Sequence, residues 1–175
     1  MSVEVVFETH ATSEDNEAGI ATGWLPGRLS AAGREGAREL GERRREDGLS
    51  VVFPSDLGRA VETAEIAFAG SPLRIVPDPR LRECNYGELN GAEKPIETPG
   101  QHIDVPFPGG ESWRDAVERV AGFLAELQRD RDGERVLVIG HAATRWAVEV
   151  VVNGRPLDEL LVERFEWQPG WEYVL

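Results

Sequence analysis

A single cysteine, Cys84, stands among 175 residues. One thiol excludes an internal disulfide and fits a reducing compartment, and the side chain is expected simply to be buried. Long apolar runs are also missing. No stretch approaches the roughly 18–20 residues that cross a bilayer, so no transmembrane helix is expected. The first ten residues, MSVEVVFETH, lack a basic segment followed by a long apolar one, so no signal peptide is visible and a cytoplasmic location is the expectation. Cations are scarce: 19 Lys and Arg face 32 Asp and Glu, for a net charge of −13. A surface of that sign disfavours nucleic acid and anionic membrane, which both require a concentrated positive face. An anionic substrate would need a local positive site, which makes the position of each arginine informative.

What is present is ordinary for a globular chain, 41% hydrophobic and 29% charged. The length suits one domain, residues 1–175, with a substantial core. The patterning predicts strands at Val3–Phe7, Ser50–Phe53, Leu73–Val76 and Val136–Ile139, with the last at the sheet centre. Helices are predicted at Leu29–Arg45 with Ser30 as N-cap, from Ser55 along Leu57, Val61, Ala64 and Phe68, over Ser112–Arg129 and over His141–Val152. Glu8–Arg28 is expected to be loop, and Pro77–Gly110 an elaborated loop insert. The tail Val162–Leu175 is expected to hold one or two late strands. The alternation argues for an α/β fold, a three-layer α/β/α sandwich around a mostly parallel sheet. The charge run Glu42–Asp47 has the pattern of a solvated helix face.

In such sheets the active site lies beyond the carboxyl ends of the strands. His10 follows the first strand, His141 follows the VLVIG strand, Arg59 lies in the first turns after the second strand, and Glu83 follows the third. A lone histidine at a strand end is most simply a structural hydrogen-bonder. Two at independent strand ends, with Arg and Glu at two more, point to a shared site.

The motifs around these residues resemble the histidine phosphatase superfamily, which includes the phosphoglycerate mutases. Glu8-Thr9-His10-Ala11 matches the family's Arg-His-Gly segment, with Asn16 in the place of the Asn six residues on. Gly23 followed by Leu29-Ser30-Ala31-Ala32-Gly33 resembles the next block. Ser55, Arg59, Ala60 and Thr63 complete Ser-x-x-x-Arg-Ala-x-x-Thr, and Leu81, Glu83, Tyr86, Gly87 and Gly91 match the Leu-x-Glu segment. Phe107–Trp113 and Val138–His141 resemble the Pro-x-Gly-Glu-Ser segment and the strand of the second histidine. Together these blocks run in family order over nearly the whole chain.

The resemblance implies a phosphoglycerate mutase-like fold and phosphoryl transfer from a small phosphorylated substrate, without metal or cofactor. His10 would be the nucleophile that becomes phosphohistidine. Arg59, His141 and the Ala142 backbone N–H would hold the phosphoryl oxygens. Glu83 would protonate the leaving alkoxide and later deprotonate water. Hydrolysis of a phosphomonoester is the leading expectation. A mutase-like transferase and an impaired small-molecule binder are the alternatives. The oligomeric state is not legible.

The sequence departs from the family pattern where its arginine before the nucleophile is Thr9, and its glycines become Ala11, Ala142 and Ala143. Thr9 offers a hydroxyl in place of a charged donor. Arg145, one turn past His141, and Arg28, in the first loop, are candidate replacement cations, against the simpler view of both as surface arginines. A less charged transferred group, or a repurposed binding protein, would also account for Thr9. Trp24 is a candidate substrate contact because its loop follows the nucleophile; the other tryptophans are expected to pack. Asn85, Tyr86, Asn90, His102 and Asp104 are candidate pocket residues or ordinary loop polarity.

Overall fold

The computed structural model describes residues 2–93, 98–163 and 165–175. Five strands form one sheet: β1 (Glu4–Thr9), β2 (Val51–Pro54), β3 (Arg74–Ile75), β4 (Arg135–Gly140) and β5 (Trp171–Val174). Their order is β3-β2-β4-β1-β5, all parallel except β5, which runs antiparallel to β1. The most apolar strand, β4, takes the centre as expected, because helices cover both of its faces. Among the described residues the tail supplies one strand, within the one or two expected.

Among the described residues six helices connect and flank the sheet: α1 (Glu14–Ala18), α2 (Ala31–Arg44), α3 (Gly58–Ala67), α4 (Trp113–Asp130), α5 (Ala142–Asn153) and α6 (Leu157–Val162). Side chains alternate along each strand, so one set serves each layer. Val5, Phe7, Val136 and Val138 pack with Val120, Phe123 and Leu124 of α4 and Val148 of α5. Val6, Leu137 and Ile139 turn the other way, onto Leu40 of α2 and Ala60, Ala64 and Ala67 of α3. The three-layer α/β/α sandwich follows directly from that alternation.

The helix starts follow their caps. The Ser30 side chain accepts from Gly33 N–H, and Ser112 forms a capping box with Asp115. Two short helices depart from the sequence expectation. Ser13 and Asn16 form a capping box that opens α1 inside the predicted loop, and Pro156 precedes α6. Both helices are under seven residues, too short for a clear apolar period. The third helix begins at Gly58 rather than Ser55, because the Ser55 hydroxyl is occupied elsewhere. Described parts of the 77–110 insert contain three short 3-10 turns, at Pro79–Leu81, Gly87–Leu89 and Pro99–His102. Among the described residues, no helix is long and apolar enough to cross a membrane.

Candidate active site

The four residues at the strand ends converge. His10 extends the β1–β4 ladder by one step, its N–H donating to the Gly140 carbonyl at 3.0 Å. His141 caps α5, and its ring centroid lies 5.0 Å from that of His10. Arg59 is 2% exposed and connects the two. Its Nε donates to His10 Nε2 at 3.3 Å, and its Nη2 faces His141 Nδ1 at 3.2 Å. The remaining guanidinium hydrogens go to the carbonyls of Gly23, Leu25 and Pro26. A guanidinium has five donors and no acceptor, so Arg59 is fully committed within the protein.

These bonds define the tautomers. His10 Nδ1 lies 2.7 Å from the Ala11 carbonyl, so Nδ1 carries the proton and Nε2 keeps its lone pair. Burial, with the Arg59 charge beside it, lowers the His10 pKa to about 4, which leaves the ring neutral at pH 7. His141 Nδ1 accepts from Arg59, so Nε2 carries the proton and faces Ser55 Oγ at 2.6 Å. Burial and Arg59 likewise hold the His141 pKa well below its usual value. Both ring nitrogens of His141 are therefore occupied, and neither is free for a phosphoryl oxygen in this arrangement.

The Ser-x-x-x-Arg-Ala-x-x-Thr motif thus acts as a brace that spans the turn after β2 and the start of α3. Ser55 holds His141, Arg59 joins both rings, and Thr63 accepts from Ala11 N–H at 3.0 Å while donating to the Arg59 carbonyl at 2.7 Å. Ala60, fully buried, lets α3 approach the sheet.

Glu83 is 9% exposed, and its Oε1 accepts from the N–H groups of Cys84 (2.8 Å) and Ala143 (3.3 Å). Burial raises its pKa above the usual carboxylate value, outweighing those bonds and the Arg59 charge. Its carbonyl is held from two sides, by Trp24 Nε1 and Arg119 Nη2, each at 2.7 Å. Arg119 also binds Glu111 and the carbonyls of Arg80 and Arg82. The Glu of the Pro-x-Gly-Glu-Ser segment therefore anchors the loop that presents Glu83.

A cleft of about 390 Å³ opens over His10, Glu83, His141 and Ala142, with Thr9, Ala11, Thr12 and Asn16 along its inner walls. Several expected residues lie elsewhere. Arg28 is a surface arginine, 74% exposed and paired with Glu14 at 2.6 Å. The guanidinium of Arg145 stacks on Trp171 at 4.6 Å, outside the cleft. Trp24 braces the Glu83 carbonyl and does not line the cleft. Nor do Asn85, Tyr86, Asn90, His102 or Asp104. Asn90 Oδ1 accepts from the N–H groups of Trp24 and Tyr86 and its Nδ2 binds Asn85, while His102 stacks on Phe107 and Asp104 pairs with Arg114.

The charge run 42–47 is solvated on one side only, where Glu42, Arg45 and Glu46 are exposed. Arg44 and Arg43 turn inward to Glu8, which is 2% exposed, at 2.8 Å and 3.1 Å. Arg43 then lines the cleft together with Glu39, Phe165 and Trp167. The position of Glu8, two residues before His10 and inside a strand, was the available signal: an acid there must find a buried cation. Gly170, at φ +91°, lies so close that a Cβ would sit 2.2 Å from Arg44 Nη2.

Comparison with known proteins places the chain in a family and matches its fold. Residues 5–169 match the model of the histidine phosphatase superfamily (branch 1). A 2,3-bisphosphoglycerate-dependent phosphoglycerate mutase of Methylobacterium sp. (strain 4-46) is 34% identical over 86% of this chain and 80% of the relative. One from Parvibaculum lavamentivorans is 33% identical over 78% and 73%. Among solved structures, Bacillus stearothermophilus YhfR superposes with a TM-score of 0.84 at 24% identity, covering 97% of this chain and 90% of the other. A mycobacterial glucosyl-3-phosphoglycerate phosphatase complexed with VO3 gives 0.76 at 25% identity, covering 90% and 85%.

Proposed function

The chain belongs to the histidine phosphatase superfamily, and on that premise we propose that it hydrolyses a small phosphomonoester through a phosphohistidine on His10. The observation that carries the reading is the neutral, oriented imidazole: Nδ1–H fixed on the Ala11 carbonyl and Nε2 unprotonated at the cleft floor.

The phosphoryl group enters between the rings. The two Arg59 donors now turned to His10 Nε2 and His141 Nδ1 transfer to its oxygens, which frees the His10 lone pair to attack phosphorus. The Ser55 hydroxyl can donate as well as accept, so it can turn its hydrogen toward His141 Nε2 and leave the ring proton on Nδ1, facing the phosphoryl oxygens. The Ala142 N–H, at the start of a 12-residue helix, adds a donor with a favourable dipole. As the P–O bond breaks, protonated Glu83 gives its proton to the leaving alkoxide; in the second step the carboxylate takes one from the attacking water. The raised Glu83 pKa suits the acid role.

A second reading, mutase-type transfer, is favoured by the curated relatives, whose name is phosphoglycerate mutase. It requires the phosphoryl group to return to a second hydroxyl of a held intermediate. Against it, Arg43 is the one Lys or Arg among the described residues lining the cleft.

Incubation with a panel of phosphomonoesters, followed by alkaline quench and intact-mass measurement, tests both readings. His10→Ala is expected to lose on the order of 10⁴–10⁶-fold in hydrolysis and to show no acid-labile phosphoryl adduct. Equal rates in wild type and His10→Ala would overturn the mechanism. Interconversion of 2- and 3-phosphoglycerate faster than phosphate release would favour the mutase.

A further inference from the structure

At the cleft mouth Arg43 is anchored but not saturated. Its Nη2 donates to Glu8 Oε2 at 3.1 Å, while its Nε is buried with no hydrogen-bond partner among the described residues. The neighbouring Arg44 is fully used: Nε on Glu8, Nη1 on Asp47 and Nη2 on the Pro169 carbonyl. Arg44 divides its charge between Glu8 and Asp47 and shares Glu8 with Arg43, so what Arg43 brings to the cleft is its outer Nη1, which has no hydrogen-bond partner among the described residues. Beside it stands Trp167, 61% exposed, its ring 5.9 Å from the Arg43 guanidinium carbon, with Phe165 43% exposed in the same wall. Large rings left open to water at a cleft mouth are well suited to being covered by another ring.

Position decides what Arg43 meets. Glu8 and His10 are two residues apart on extended chain, so their side chains leave the same face about 6.6 Å apart. A guanidinium tethered to Glu8 is therefore displaced along the strand from His10, on the side of the cleft where Trp167 and Phe165 stand. It is placed for the distal end of the leaving group rather than for the transferred phosphoryl group.

We propose that Arg43 and Trp167 form the leaving-group subsite, which selects a planar ring carrying an oxyanion at the end remote from the phosphate. Trp167 covers the face of the ring, and the open edge of Arg43 takes the oxyanion as a charge-assisted fork. The proposal rests on phosphomonoester hydrolysis at His10 and adds the chemical class of the alcohol released.

Three esters with alkoxide leaving groups separate these contributions: 4-carboxybenzyl, benzyl and cyclohexylmethyl phosphate. Wild type is expected to rank them in that order of kcat/KM. Arg43→Gln should lower the carboxybenzyl ester roughly 10- to 100-fold, the range for a lost hydrogen bond to a charged group, and leave the benzyl ester nearly unchanged. Arg43→Lys should recover part of the loss. Trp167→Ala should remove the preference for benzyl over cyclohexylmethyl, roughly 3- to 10-fold. Equal wild-type rates on the benzyl and carboxybenzyl esters, or a uniform loss on all three in Arg43→Gln, would overturn the subsite. Calorimetric binding of the esters to His10→Ala gives a readout independent of turnover. If wild type hydrolyses none of them, the phosphohistidine reading fails, while tighter binding of the carboxybenzyl than of the benzyl ester to His10→Ala would still support the subsite, and equal binding would refute it.

Discussion

Beneath the floor of the cleft, behind His10 and His141, Arg59 is 2% exposed and donates to three backbone carbonyls and both histidines, while at the mouth Arg43 holds one carboxylate with Nη2 and its Nη1 has no partner among the described residues. The same side chain thus serves opposite purposes. At the floor every donor fixes a ring or a loop, so the geometry that a charged transition state needs is set before substrate arrives. At the mouth the donors are open, and recognition depends on what arrives. Substitutions at the floor should therefore change kcat, and those at the mouth should change KM and substrate preference.

The largest test of that contrast is Glu83→Gln. An amide cannot protonate an alkoxide, so hydrolysis of alkyl phosphates should fall about 10²- to 10⁴-fold. A p-nitrophenolate leaves without a proton, so p-nitrophenyl phosphate should lose far less. Burial raises the Glu83 pKa, so the wild-type alkyl-ester profile should carry its basic limb above the usual carboxylate range. His10, lowered to about 4, should set the acid limb near that value. A Glu83→Gln variant that impairs both ester classes equally would show that the floor uses Glu83 for position rather than for its proton.

The scaffold and the four strand-end residues were legible because each rests on a local pattern: apolar runs of strand length, serine caps, and polar residues just past strand ends. The three-layer fold follows from the alternation of those runs. Other features were hidden for a common reason, that they depend on partners far away in sequence. Arg43 and Arg44 sit in a charge run with the composition of a solvated face, yet a buried Glu8 on β1 draws both inward. Trp167 resembles the packing tryptophans by composition, and only the path of the tail leaves it at the cleft mouth. Arg145, a helical turn from His141, and Arg28, in the first loop, have the sequence spacing of replacements for the cation missing at Thr9. Arg145 instead stacks on Trp171 and Arg28 pairs with Glu14. Ser55, assigned to a helix start, serves His141 instead.

Thr9→Arg addresses the floor from the other direction. Thr9 lines the cleft next to His10, and no cation lines that end among the described residues. An added guanidinium should supply a donor for the phosphoryl oxygens and raise kcat by roughly tenfold or more, within the 10²–10³ that one preorganised donor contributes. KM ratios among the three esters should stay as they are, because the mouth is untouched. A fall in kcat would mean that Arg59 already fills the space.

The smallest effect concerns stability and needs no substrate. His141 is buried and His10 half-buried at the cleft, and both rings are held neutral, with pKa values below that of an unfolded histidine, about 6.5. Between that value and the folded one, the unfolded chain binds more protons. Stability is therefore full above pH 6.5 and is lost as pH falls toward 4. For His10 the loss amounts to about 1.4 kcal/mol per pH unit inside the window, on the order of 3 kcal/mol in total. Melting temperatures at pH 7 and 4.5 should thus differ more in wild type than in His10→Asn, whose amide takes no proton. Trp167→Ala, at a ring 61% exposed, changes only the mouth and should keep the wild-type difference. If His10→Asn kept it too, the floor would tolerate the histidine charge, and the contrast between a sealed floor and an open mouth would fail there.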